Sequence, residues 1–178
     1  MKIDDYFAHL TAYFLESIAD YIDDIGYMAE YMKICEGKIY IVGNGGSAET
    51  ASHFATDLAK NCGIRAISLV DNSGLVTALS NDIDFSKSYS EQLKLFGTDQ
   101  DILVIISVSG NSKNLVEAAK VAKKIGMTVF ALLGFSGSGQ VAEYCDKYLG
   151  IGLKSYEMVE DIHLAIAHAI SNYLKDRE

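Results

Sequence analysis

Residues 38–58, KIYIVGNGGSAETASHFATDL, change backbone periodicity within five positions. Ile39, Tyr40, Ile41 and Val42 form an unbroken apolar run, which predicts a buried strand. Gly43, Asn44, Gly45, Gly46 and Ser47 follow as a turn. Ala48, Ala51, Phe54, Ala55 and Leu58 then recur at helical spacing. The chain here is committed to a strand, a tight glycine turn and an amphipathic helix. Glycines without Cβ let the backbone approach a ligand closely. Ser47 reads as the N-cap of the helix, and the free amides beyond it favour an anion. The turn is a candidate cradle for a phosphate or sugar phosphate, although a ligand-free βα turn has the same local pattern.

The rest of the chain repeats this alternation. Ala66–Val70 reads as a second strand, followed by a turn at Asp71–Gly74 and a short helix at Leu75–Leu79 broken by Ser80-Asn81-Asp82. A helix is expected over 87–96. Ile102–Ile106 is apolar throughout, as a strand covered on both faces should be. A helix with Leu115, Ala118, Ala119, Val121, Ala122 and Ile125 follows and ends at Gly126. A fourth strand over 128–133, a serine-glycine loop over 134–139, a short helix, a fifth strand near 148–151 and a last helix over 157–174 complete the unit. Strands alternating with helices predict an α/β fold: a doubly wound three-layer sandwich around a five-stranded parallel sheet. Ligands in such sheets sit beyond the carboxyl ends of the strands. Residues 1–178 read as one domain, with a helical extension over 1–35 and an α/β core over 36–178. The extension carries Tyr6, Phe7, Leu10, Tyr13, Phe14, Ile18, Tyr21, Ile22, Ile25, Met28 and Met32 at steps of three and four. It predicts one amphipathic helix, or two meeting near Gly26, with part of its stripe packed on another subunit.

Composition excludes some classes of partner. Net charge is -9 and no basic stripe occurs, so a nucleic-acid footprint is not expected. No apolar run is long enough to span a bilayer, and MKIDDYF is too polar and acidic for a secretory signal. Cys35, Cys62 and Cys145 lack metal-type spacing and read as reduced packing residues of a cytoplasmic protein.

Chemistry concentrates at three places. Ser107-Val108-Ser109-Gly110-Asn111-Ser112 puts three hydroxyls and free amides at a helix N-terminus, a donor set suited to a phosphate dianion. No Gly-Lys-Ser/Thr follows, so it is not a nucleotide P-loop. His53 and Asp57 are four apart on one helix face and can share a metal or a proton. The last helix carries Glu160, Asp161, His163 and His168 among apolar residues. Glu160 and His168 would lie about 12 Å apart along one straight helix, so they hold one ion only if they serve different subunits' sites or Glu160 precedes the regular helix. His163 is a rival ligand by spacing.

Taken together, GNGGSAETASHFATDL, SVSGNS, Asn81-Asp82 and EDIHLAIAH resemble the sugar isomerase (SIS) domain family, and within it the phosphoheptose isomerases. The resemblance covers almost the whole chain. It implies the SIS fold, a homotetramer, and interconversion of sedoheptulose 7-phosphate and D-glycero-D-manno-heptose 7-phosphate, which supplies heptose for lipopolysaccharide or capsule. It implies sugar contacts from Asn44, Gly45, Gly46 and Ser47, substrate contacts from Asn81 and Asp82, and phosphate contacts from Ser107, Val108, Ser109 and Ser112. It further implies one zinc per subunit at His53, Asp57, Glu160 and His168, with Asp57 as base, His168 as acid and Glu160 also near substrate.

Two of these positions depart from the family pattern, in which the first-helix ligand is Glu rather than Asp57 and the last-helix ligand is Gln rather than Glu160. The loop after the first helix is also short, which leaves Lys60 or Arg65 to replace the family's phosphate-binding arginine. Two rival readings follow. One is a non-catalytic SIS protein that binds a phosphosugar or the replication initiator, against which the retained His168 argues. The other is an isomerase of a different phosphosugar, which Asp57 and Glu160 keep open.

Overall fold

The computed structural model describes residues 2–135 and 139–175. The chain runs α1 (Ile3–Glu16), a 3-10 turn (Ile18–Tyr21), α2 (Ile22–Lys33), β1 (Ile39–Val42) and α3 (Gly46–Cys62). It continues through β2 (Ala66–Ser68), α4 (Ser73–Asp82), a 3-10 turn (Phe85–Lys87), α5 (Ser90–Phe96) and β3 (Ile102–Ser107). It closes with α6 (Lys113–Ile125), β4 (Thr128–Leu133), a 3-10 turn (Gln140–Tyr144), β5 (Lys147–Gly150) and α7 (Tyr156–Lys175). Positions 136–138 of the expected serine-glycine loop lie outside the described residues.

All strand pairs are parallel, in the order β2-β1-β3-β4-β5. The chain winds outward from β1 in one direction to β2 and in the other from β3 onward. That reversal sets the carboxyl ends of β1 and β3 side by side, with Val42 opposite Ile105. A crevice opens there because the following connections leave toward opposite faces.

The apolar run of β3 serves two cores at once. Ile102, Val104 and Ile106 join Ile39, Ile41, Phe130 and Leu132 beneath α2, α3 and α7. Leu103 and Ile105 join Tyr40, Val42, Val129 and Ala131 beneath α5 and α6. Successive side chains of a strand point to opposite faces, so a strand covered on both sides has no polar position to spare.

The extension breaks at Ser17–Tyr21, not at Gly26, which lies inside α2. A glycine within a helix costs only about 1 kcal/mol. The redirected chain lets the Tyr21 hydroxyl donate to the Gly150 carbonyl at 2.6 Å, while Tyr13 reaches the Ile151 carbonyl at 3.1 Å. Part of the stripe packs on its own chain, and Ile3, Phe7, Leu15, Ile22 and Ile34 remain exposed.

Other boundaries moved for local reasons. The second strand is shorter than expected, ending at Ser68. α4 runs through Ser80-Asn81-Asp82 because the Ser80 hydroxyl donates back to the Val76 carbonyl, and Asn72 rather than the first apolar residue marks its start by accepting from the Leu75 amide. The expected helix over 87–96 divides into a 3-10 turn and α5. Ser47 is not an N-cap. Gly45 takes φ +57 and the N-cap position, so α3 starts at Gly46 and places Ser47 in its first turn, buried. The three cysteines are unpaired, half-buried, and pack against the two cores.

Candidate active site

The first constellation sits at the switch point between β1 and β3. Asn44, Ser47, Ser107, Val108, Ser109, Ser112, Leu115, Tyr156 and Glu160 line a cleft of about 100 Å³. Ser107 is buried and its hydroxyl accepts from the Gly110 amide at 3.0 Å, which folds the loop back over the start of α6. The loop is tied to the glycine turn by a reciprocal amide pair. Asn44 donates to Asn114 Oδ1 at 2.9 Å, and Asn114 donates to Asn44 Oδ1 at 2.8 Å. The Tyr89 hydroxyl donates to the Gly43 carbonyl at 2.9 Å and holds the turn from the other side. Asn114 and Tyr89 were not singled out by sequence. Asn114 follows Ser112 by two residues on the same short helix turn, and Tyr89 is separated from Gly43 by 46 positions.

Glu160 enters this cleft from α7. A side chain at Gly46 would run into its carboxylate, so Gly46 is the gap that admits it. The carboxylate thus lies against the N-terminus of α3, where the helix dipole favours negative charge. Burial, with the neighbouring Glu157 and Asp161, pushes the Glu160 carboxyl above its ordinary value.

The second constellation lies further along the same two helices. His53 and Asp57 of α3 meet His168 of α7. His53 Nε2 is 3.3 Å from His168 Nε2, and Asp57 Oδ2 is 3.6 Å from His53 Nε2 and 3.8 Å from His168 Nε2. Tetrahedral zinc with bonds of about 2.0–2.1 Å holds its ligand atoms about 3.3–3.4 Å apart. The triangle is close to that size, and both imidazoles present Nε2 to it. Asn61 donates to Asp57 Oδ1 at 3.1 Å, which turns Oδ2 toward the histidines. Spacing revealed His53 and Asp57; Asn61 continues the same four-residue ladder and was overlooked.

Several expected residues are elsewhere. Glu160 is not among the residues that meet at the triangle; it stands eight residues before His168 on α7, at the cleft. Asn81 and Asp82 end α4, exposed and bonded to each other at 2.8 Å, and do not line the cleft. Arg65 precedes β2 at the amino-terminal edge of the sheet and donates to the Glu36 carbonyl, and Lys60 is near the end of α3. Neither cation lines the cleft of its own chain, because parallel strands put their starts at the edge opposite the site.

His163 does not join the triangle. It is fully buried, and although the Leu133 main chain lies close enough to raise its pKa slightly, neither ring nitrogen makes a hydrogen bond of good geometry. Burial dominates and lowers its pKa to about 4. The unfolded imidazole, near 6.5, therefore holds a proton that the folded one has lost. Stability is expected to fall as pH drops from about 6.5 to about 4, by about 3 kcal/mol from this group. His163→Leu should flatten that part of a plot of denaturation midpoint against pH; an unchanged slope would show that His163 does not carry it.

The fold and the two constellations place the chain in a class of α/β sugar-phosphate proteins, and comparison specifies which. Residues 5–134 match the family model described as SIS domain. A phosphoheptose isomerase of Laribacter hongkongensis is 37% identical over 157 residues, which covers 82% of this chain and 80% of that protein. The structure of a phosphoheptose isomerase from Neisseria gonorrhoeae superposes with a TM-score of 0.92 at 31% identity, covering 98% of this chain and 97% of that one. A Francisella tularensis phosphoheptose isomerase gives the same TM-score at 28% identity. The chain belongs to the SIS domain family, in its phosphoheptose isomerase branch.

Proposed function

We propose that this chain is an aldose–ketose isomerase that interconverts sedoheptulose 7-phosphate and D-glycero-D-manno-heptose 7-phosphate. The observation that carries the reading is the pairing of a hydroxyl- and amide-lined cleft at the β1–β3 switch point with the His53–Asp57–His168 triangle on the helices beside it. The named relatives support the heptose substrate.

The reaction moves a proton between C1 and C2 through an ene-diol and needs a base, an acid and stabilisation of the developing oxyanion. Ser107, Ser109 and Ser112 bind the phosphate; Asn44, Gly45, Gly46 and Ser47 orient the sugar. Asp57 removes the proton, and His168 donates one to oxygen. A zinc ion held by His53, Asp57 and His168 would polarise the substrate oxygens.

We read the working state as a homo-oligomer, a tetramer by family resemblance, with Glu160 of one copy as the fourth ligand of another copy's triangle. Two features support this. Glu160 lies about 12 Å along α7 from His168 of its own chain, at 1.5 Å per residue. The cleft of about 100 Å³ is also far below the roughly 300–1,000 Å³ of a complete ligand pocket. Among the described residues no helix is long and apolar enough to cross a membrane, in keeping with a protein acting on a dissolved sugar phosphate in the cytoplasm. The product would feed heptose into lipopolysaccharide or capsule.

The deciding experiment is turnover of sedoheptulose 7-phosphate by purified protein, with zinc bound and after chelation. Turnover that chelation removes and zinc restores is expected. Binding without turnover in both states would overturn the isomerase reading in favour of a phosphosugar-binding protein.

A further inference from the structure

We infer that Lys175 is the cation that receives the charged end of the substrate, from the wall of a trough onto which the His53–Asp57–His168 triangle opens. This rests on the phosphosugar reading above and adds a residue that selects phosphorylated over unphosphorylated sugars.

The trough lies between α3 and α7 and has a volume of about 470 Å³, within the roughly 300–1,000 Å³ of a small-molecule pocket. Asp57 and His168 stand in its wall, so the triangle borders this space. Asn61 of α3, and Asn172 and Lys175 of α7, contribute to its polar lining. Residues three and four apart share a helix face. Asn61 therefore follows Asp57 by one turn, and Asn172 and Lys175 follow His168 by one and two. The two helices stay together along these ladders, since the Cys62 thiol near the end of α3 donates to the Ser171 carbonyl of α7 at 3.2 Å. Ala165 and Ala169 also line the trough and leave it open, because neither carries atoms beyond Cβ.

Charge singles out Lys175. The cleft at the switch point is lined by hydroxyls, amides, apolar groups and the Glu160 carboxylate, and the trough holds the Asp57 carboxylate. Among the described residues, Lys175 is the one lysine or arginine that lines either space. With a net charge of -9 on the chain, a phosphate dianion is repelled at long range and needs a local cation to receive it. Reach agrees with charge. Lys175 stands about 10 Å along α7 from His168, at 1.5 Å per residue. A seven-carbon sugar, with six carbon–carbon bonds of about 1.5 Å, extends nearly as far, and its phosphate ester covers the rest. A substrate with C1 and C2 at the triangle would bring its phosphate level with Lys175. In the oligomer read above, another copy's cleft lies over this triangle, so that copy's serine loop and this chain's Lys175 would grip one phosphate from two sides.

Lys175 also sits in the last turn of α7, where the helix dipole favours a cation whatever its function. Lys124 holds the same place in α6 and lines neither space, so it separates the two roles. Lys175→Glu should raise the KM for sedoheptulose 7-phosphate and the inhibition constant for inorganic phosphate, each by about tenfold, the scale of one charge-assisted contact. Its kcat should change far less than its KM. Lys175→Arg, which keeps the charge, should hold both constants near native, and so should Lys124→Glu. Native constants in Lys175→Glu, or an equal rise in Lys124→Glu, would overturn the assignment. If the native chain itself fails to turn over the heptulose, the substrate reading falls and Lys175 is judged on calorimetric binding of inorganic phosphate alone. Binding about tenfold weaker in Lys175→Glu than in the native chain then upholds it, and equal affinity overturns it.

Discussion

Replacing His168 by alanine is expected to lower turnover of sedoheptulose 7-phosphate by about 10²–10⁴-fold, the range of a lost general acid. The substitution removes one corner of the triangle while leaving the cleft walls in place, since His168 is half-exposed and stands two helical turns from Glu160. Affinity for inorganic phosphate, measured by calorimetry, should therefore stay near native. Zinc content per chain should fall, because the His53–Asp57–His168 triangle loses one of its three corners. A variant that keeps native turnover would sink the acid role and the metal role together.

The second large effect is expected at Asp57. Asp57→Asn keeps the shape of the side chain but removes the charge proposed to serve as base and as ligand, and should cost at least about 10³-fold in turnover. Asp57→Glu is the more informative change. Resemblance to the family makes it look like a restoration, yet Asp57 Oδ2 already closes the triangle at 3.6 and 3.8 Å, with Asn61 holding its other oxygen. One added carbon–carbon bond, about 1.5 Å, pushes the carboxylate past that point. A misplacement of this size costs about 10²-fold when the reacting geometry is tight. Loss of turnover in Asp57→Glu is expected in steady-state assays. A gain would show that the chain's aspartate is a handicap rather than a fitted part.

Much of this site was legible before any coordinates. The strand-to-helix passage at 38–58 and the apolar run of β3 are periodic patterns, and pattern survives into structure because burial enforces it. His53 and Asp57 were readable as a pair because four residues make one helical turn. What misled was punctuation. Ser47 has good N-cap chemistry, but a glycine able to take positive φ one step earlier won the position. Ser80 and Asn81 look like breakers, but a serine hydroxyl bonded four residues back lies comfortably within α4. Gly26 looks like a helix end and is not, since a glycine tolerates a helix interior at small cost.

The sequence by itself determined the alternation of strands and helices, the two turns rich in glycine and serine, and the residue types able to hold a phosphate and a metal. These follow from hydrophobic period and from side-chain chemistry, both local properties. Only the tertiary structure decided which of the candidates share a space. α7 lies along α3 in the same direction, so His168 meets His53 and Asp57 while Glu160, two turns earlier, meets Gly46 instead. The parallel sheet carries Arg65 to the edge opposite the cradle and brings Asn114 to Asn44 across 70 residues. Helix direction and strand order set these distances, and neither is written in the spacing of any one segment.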